Sequence, residues 1–360
     1  MNQFIERECR PHRVAREAVR SPTNGDVPVV ACIRIARQVR TPGVVPTSMT
    51  NPIDIARDRI VAATTGLFAH APYPLDATGA YRGDPGLFGA DSVTWPVIGD
   101  VAAFVGGIRA LLVQAAHPEV VAGVFDHSRY REDPLGRLSR TSAYVTATAF
   151  GAIPEVDRAI NAVRRAHRPI AGVSHRGRPY AASHAGLGAW VHNALTDSFL
   201  QAYQTFGLSP LSVADANRFV AEQSRVGALM GVEPLPMTAA DLSLWIDELP
   251  ELGPSPGMVD AIGFLRSPPL PVAVRPAYRV LFEAAATTLS PRVAGILGLS
   301  LRRGARSAGL AATRFLRWSL GASPSWRLAL DRVDAAVPEG VFRQPLPATL
   351  GASPKSGSNQ

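Results

Sequence analysis

AINAVRRAHRPIAG, residues 159–172, reads as the end of an amphipathic helix that carries a histidine in its apolar stripe. Counted from Val156, bulky apolar residues recur at Ile160 and Val163, and the next beat of that 4, 3 rhythm falls on His167 before Ile170 resumes it. Arg164, Arg165 and Arg168 point mostly away from the stripe. The helical period therefore aims one imidazole inward among arginines that stay outside, and the same period runs through most of the chain.

Alanine, leucine, valine and arginine dominate the sequence, and β-branched alternation is scarce, which points to an all-α class. With 46% apolar and 18% charged residues in 360, a large core is feasible and global disorder is excluded. The formal charge of +8 is carried by arginine, since Lys355 is the single lysine. Arg302, Arg303, Arg306, Arg314 and Arg317 cluster, yet no nucleic-acid-binding module surrounds them, so nucleic acid is not expected as a partner. Cys9 and Cys32 supply neither a disulfide framework nor metal-ligand spacing, in keeping with a reducing cytoplasm. No apolar run reaches the length of a transmembrane helix, and no signal peptide is evident at the N-terminus, so a cytoplasmic protein is expected.

Three regions follow from composition. Residues 1–48 lack a period and read as a flexible extension, with a short strand signal near 27–33. Residues 49–335 form a single large helical domain. Residues 336–360 are rich in Pro, Ser and Gly and read as a disordered tail. Within the domain, Asn51 followed by Pro52 makes a helix start. Helices are expected at 52–68, 96–116, 118–126, 134–150, 154–169, 184–206, 212–230, 238–248, 256–265, 275–288, 290–299 and 308–320. The Gly/Pro/Asp-rich stretch 71–94 is long enough that it must be ordered by packing or act as a lid.

Several chemistries are excluded by absence of their motifs: no phosphate-cradling Gly-rich loop, no dinucleotide fingerprint, no H-E-x-x-H and no Glu-x-x-His pair. Gly253-Pro254-Ser255-Pro256-Gly257 fits G-x-S-x-G in letters only, because two prolines flank the serine and no strand precedes it.

Of eight histidines, His117, His167 and His192 face inward, His117 at the end of FVGGIRALLVQAAHP and His192 on a face with Gly188, Leu195, Phe199, Ala202 and Phe206. His127 sits in a polar turn. A buried histidine is often only a hydrogen-bonded core residue. Three of them in one helical domain, without Cys or carboxylate partners at ligand spacing, suit haem iron, which asks one side chain of the protein, better than zinc. In DPLGRLSRTSAYVTATAFG, residues 133–151, Arg137, Arg140 and Thr141 share a helix face that Tyr144, Val145 and Thr148 continue. Cations in a first turn oppose the helix dipole, so this face wants an anion: Asp133 or another carboxylate, or a cofactor propionate.

These segments, GGIRALLVQAAHPEVVAGVFDHSRYREDPLGRLSRTSAYVTATAFG, AVRRAHRPIAG and WVHNALTDSFLQAYQTFG, resemble in order and spacing the MpaB / rubber-oxygenase catalytic-domain family, over about residues 55–300. The resemblance implies a globin-like helical core holding haem b and O2-dependent oxidation of a small hydrophobic substrate. In rubber oxygenases that reaction cleaves an isoprenoid double bond. It implies His167 as the proximal iron ligand, and Arg137, Arg140 and Thr141 on the distal or propionate side. Arg140 stands where a rubber oxygenase carries a lysine able to ligate iron, and an arginine has no lone pair for that role. His117 and His192 are pocket residues or alternative ligands, and Glu119 and Asp126 are the nearest candidates for a distal carboxylate base. The alternative function is a non-catalytic haem- or lipid-binding protein. A homodimer is kept open.

Overall fold

The computed structural model describes residues 51–347; the 1–48 extension with its strand signal, both cysteines and the last part of the tail lie outside the described residues. The described chain is almost wholly helical. It runs α1 (Pro52–Gly66), α2 (Thr94–Gly99), α3 (Ala102–Ala115), α4 (Pro118–His127), α5 (Pro134–Phe150) and α6 (Ile153–His167), then strands β1 (Ala171–Val173) and β2 (Pro179–Ala181). The series resumes with α7 (Ala185–Phe206), α8 (Val213–Met230), α9 (Ala239–Glu248), α10 (Pro256–Arg266), α11 (Arg275–Ala286), α12 (Pro291–Ile296), α13 (Ala305–Leu320) and α14 (Pro324–Arg332).

Local chemistry sets these boundaries. Asn51, Asp133, Ser212, Thr238, Ser255 and Ser290 each accept a hydrogen bond from a backbone amide of the first turn that follows, and proline occupies an early position of α1, α4, α5, α6, α10, α11, α12 and α14. Gly231 ends α8 in the left-handed region at φ 71°, which a side chain disfavours. Ser255 is thus the N-cap of α10, not the nucleophile that the letters of G-x-S-x-G would suggest.

The centre of the molecule is the pair α3 and α7. Gly106 permits their close approach: a Cβ there would lie 2.7 Å from Phe199 Cδ1 and 3.1 Å from Phe199 Cα. Across the same seam Arg109 pairs with Asp197 at 2.7 Å and donates to Ser198 Oγ and the Thr288 carbonyl, so a buried charge pair is fully bonded. Around it pack Trp95, Leu112, Trp190, Leu200, Phe206 and Phe219, all almost completely buried.

Three features bear on the sequence expectations. The helix expected over 96–116 is two helices broken at Asp100, whose carboxylate accepts from Ala102 N and from Arg317, so Arg317 is spent on a structural pair rather than on a basic patch. Of the two outcomes expected for the 71–94 stretch, packing is the one observed: Leu75 is completely buried and Arg332 fastens the segment by bonds to Thr78 Oγ1 and the Asp84 carbonyl. Residues 336–347, grouped with the tail by composition, run back past α13, where Ala322 N donates to the Val341 carbonyl and Phe342 packs edge-on against Trp326.

Candidate active site

Helices α5 and α6 are joined by only Gly151 and Ala152 and fold back on one another. Midway along them Tyr144 of α5 packs against Val156 and Ile160 of α6, with Val226 and Met230 of α8 completing the cluster. Arg137 lies thirteen residues before Phe150, and His167 fourteen after Ile153. At about 1.5 Å of rise per residue, each stands roughly 20 Å along its own helix from the turn.

The apolar stripe of α6 comes progressively out of the core toward that end. Val156 and Ile160 are buried, whereas Val163 and His167 are half-buried. His167 is the last residue of the helix, and desolvation lowers its pKa below the ordinary histidine value. The imidazole is therefore neutral at physiological pH and keeps a lone pair for a ligand. The sequence expectation of a core-facing histidine needs this correction: His167 is half-buried at the margin of the core.

Arg137 is half-buried with its guanidinium 5.7 Å from the centroid of the Tyr130 ring. Desolvation lowers its pKa, Tyr130 opposes the shift, and Arg140 adds to it. Among the described residues no carboxylate lies within ion-pair distance of Arg137. The charge nonetheless persists, because a guanidinium does not give up its proton in a protein. Arg140 is different: it is exposed and paired at 3.1 Å with Asp133, the residue that caps α5. Thr141 is also exposed. Of the three arginine–threonine candidates, only Arg137 is set inward.

His192 stands on α7 and is half-buried. Desolvation brings its pKa down to about 4, with the Gln223 backbone opposing the shift. Gly227 makes room for it, since a Cβ at that position would sit 2.9 Å from His192 Cδ2 and 3.0 Å from Nε2.

His117 occupies another place. It is buried at the α3–α4 junction against Trp190, ring centroids 5.8 Å apart, with Nδ1 3.5 Å from Glu119 Oε2. Burial lowers its pKa and Glu119 opposes that. Because Trp190 and His192 are two residues apart on one helix, they point to opposite sides of α7. His117 therefore does not share the space of His192.

The two carboxylates considered as bases are committed to the hairpin β1–β2, in which Gly172 faces Tyr180. Glu119 accepts from Ser174 Oγ at 2.8 Å and from Arg176 Nε at 3.1 Å; burial raises its pKa, but these bonds outweigh burial and the net shift is downward. Asp126 accepts from the Tyr180 hydroxyl. His127, exposed as expected, bonds through Nε2 to the Ala171 carbonyl at 3.1 Å.

Sequence reasoning missed Tyr130, which is buried, bonded to Asp260, and stacked under Arg137. An aromatic one turn before an arginine-rich helix start was its only signal. Gly227 and the β-hairpin were missed as well.

The class to which this scaffold belongs is an oxygenase catalytic domain: a family model described as "ER-bound oxygenase mpaB/B'/Rubber oxygenase, catalytic domain" matches residues 95–318, more than half of the chain. The chain belongs to that family. The match runs from α2 nearly to the end of α13 and includes all six candidate residues. No curated protein and no solved structure matches the chain. No single helix among the described residues is long and apolar enough to cross a membrane, and α3 and α4, which pass such a test only jointly, meet at 104°.

Proposed function

We propose that the chain is a haem b-dependent oxygenase that uses O2 to oxidise a small hydrophobic molecule, an isoprenoid being the substrate class the family suggests. One observation supports the reading: a neutral imidazole at His167 and a carboxylate-free guanidinium at Arg137 lie a similar number of residues from the turn of one helical hairpin. The donor set supports an iron that brings its own equatorial ligands. Among the described residues no three His, Cys, Asp or Glu side chains converge as a metal-binding group, while haem requires a single protein ligand.

In this reading His167 binds the iron, and Arg137 holds an anionic group, such as a propionate, by charge-assisted hydrogen bonds. His192, kept neutral by its surroundings, lines the wall without adding charge. His117 supports that wall from the far side of α7 through Trp190. The bound haem supplies the activation of O2; the chain's part is to hold it, to exclude water with Tyr144, Ile160, Val226 and Met230, and to seat the substrate. Arg140 must release Asp133, and Thr141 must turn from solvent, before either touches a reacting group. A cytoplasmic location and a homodimer belong to the same proposal and rest on the sequence alone.

The exposure of Arg140 and Thr141 favours the second reading, a haem- or lipid-binding protein without catalysis, which needs no polar distal face. A visible spectrum after expression with haem supply separates these. A Soret band is expected, lost or strongly shifted in His167→Ala; its absence from the parent protein sinks the haem reading. Arg137→Met should weaken haem binding about tenfold or more in a titration, the scale of a lost charged hydrogen bond. Oxygen uptake with candidate isoprenoids then distinguishes the enzyme from a carrier.

A further inference from the structure

A cleft of about 420 Å³ opens between α4, α10 and the β-hairpin. This volume lies in the range of small-molecule sites, about 300–1,000 Å³. Pro118, Val121, Ala122, Phe125, Val173 and Pro256 make its apolar walls. Most of its polar groups are engaged with protein partners: Tyr180 donates to Asp126, Tyr130 and Arg131 both donate to Asp260, and Ser255 caps α10. Apart from the exposed His175, what a ligand meets is mainly hydrocarbon. Phe125 and Val173, 53% and 63% exposed, extend that character to the rim.

The cleft adjoins the Arg137 half of the candidate active site. Its wall residues Arg131 and Asp260 grip Tyr130, whose ring lies beneath the Arg137 guanidinium. One side chain, Tyr130, thus stands between an apolar cleft at the surface and Arg137 within.

We propose that this cleft is the docking site through which an apolar substrate approaches the Arg137–His167 site, with Tyr130 as the partition between the two. The destination, though not the cleft, rests on the haem-oxygenase reading. Continuity with Arg137 through one residue is what assigns the cleft to a small molecule rather than to a partner chain. The Tyr130–Asp260 hydrogen bond fixes the partition, and its release would connect the cleft to the face of α5 that carries Arg137 and Tyr144.

The test is photolabelling of the full chain with a diazirine-bearing farnesol, mapped by peptide mass spectrometry. Saturable label is expected within residues 118–126, 171–175 and 255–260, displaced by unlabelled farnesol. Ala122→Trp, which fills the cleft, should lower it at least fivefold at unchanged helix content. Tyr130→Phe, which lacks the bond to Asp260, should extend label to peptides of α5. Label outside these segments, or label that farnesol does not displace, overturns the proposal, and the parent map decides even if Ala122→Trp fails to fold. A Soret spectrum of the same preparation keeps the two readings apart. Label in the cleft without a Soret band removes the haem and leaves the cleft; a Soret band without label there removes the cleft and leaves the haem.

Discussion

Burial holds the His192 imidazole at a pKa of about 4, against an ordinary value of 6.5. Between these values the unfolded chain binds a proton that the folded chain refuses, so stability is full above the unfolded value and falls as the pH drops toward the folded one. The sign is the same for His117 and His167, whose values are also lowered. For His192 alone the loss at pH 5 relative to pH 7.5 is on the order of 2 kcal/mol, an upper figure because the residue is only half-buried. Urea unfolding of the haem-free protein at the two pH values should show it, and His192→Gln should flatten the difference. A variant as pH-sensitive as its parent would mean that the ring is hydrated. At this scale the sequence was informative about direction and poor about depth. The period of α6 placed His167 on the right stripe, but only the packing of α8 shows that the stripe emerges from the core before reaching it. Arg137 and Arg140 look equivalent in R-L-S-R-T; the N-cap Asp133 takes one, and Tyr130 takes the other, a partner that no local pattern reveals.

Neighbouring glycines of α3 respond to opposite demands of the α3–α7 packing. At Gly106 a methyl group meets Phe199 Cα and Ser198 O at 3.1 and 3.2 Å as well as the Phe199 ring, so two helices must part to admit it. At Gly107 nothing lies within 4 Å. Gly106→Ala is expected to destabilise by about 1–3 kcal/mol. Gly107→Ala should stabilise by up to about 1 kcal/mol, the difference in helix propensity. Thermal denaturation of the pair checks both signs, and a stabilised Gly106→Ala would contradict the close approach. The helices themselves were legible because caps, prolines and periodicity agree at most of their ends. The break at Asp100 was not, since the apolar pattern continues across it and only the tertiary bond to Arg317 marks it. The three-residue strands were invisible for a similar reason: they are pinned from outside, by Glu119 and Asp126 on α4.

Across the whole molecule, the family pattern captured the part of the chain that makes the site, and missed what fastens it. The last helix, α14, carries Arg332, almost wholly buried, with bonds to Thr78 Oγ1, the Asp84 carbonyl and the Phe150 carbonyl at the end of α5, while its own carbonyl receives Gly83 N. Residues from the beginning, middle and end of the described chain meet at that one guanidinium. No local signal announces such a partner, because the interacting groups are backbone carbonyls about 180 and 250 residues away.

That guanidinium also imposes a schedule. During synthesis every candidate site residue leaves the ribosome well over a hundred residues before Arg332 does, so the α5–α6 hairpin waits, unfastened, until α14 has been made. A premature stop after residue 323 would spare every one of those residues and still remove the clasp. Such a shortened chain is expected to be far more susceptible to limited proteolysis at 71–94 than one ending at residue 347. Equal resistance of the two would show that the hairpin is secured before its clasp is made.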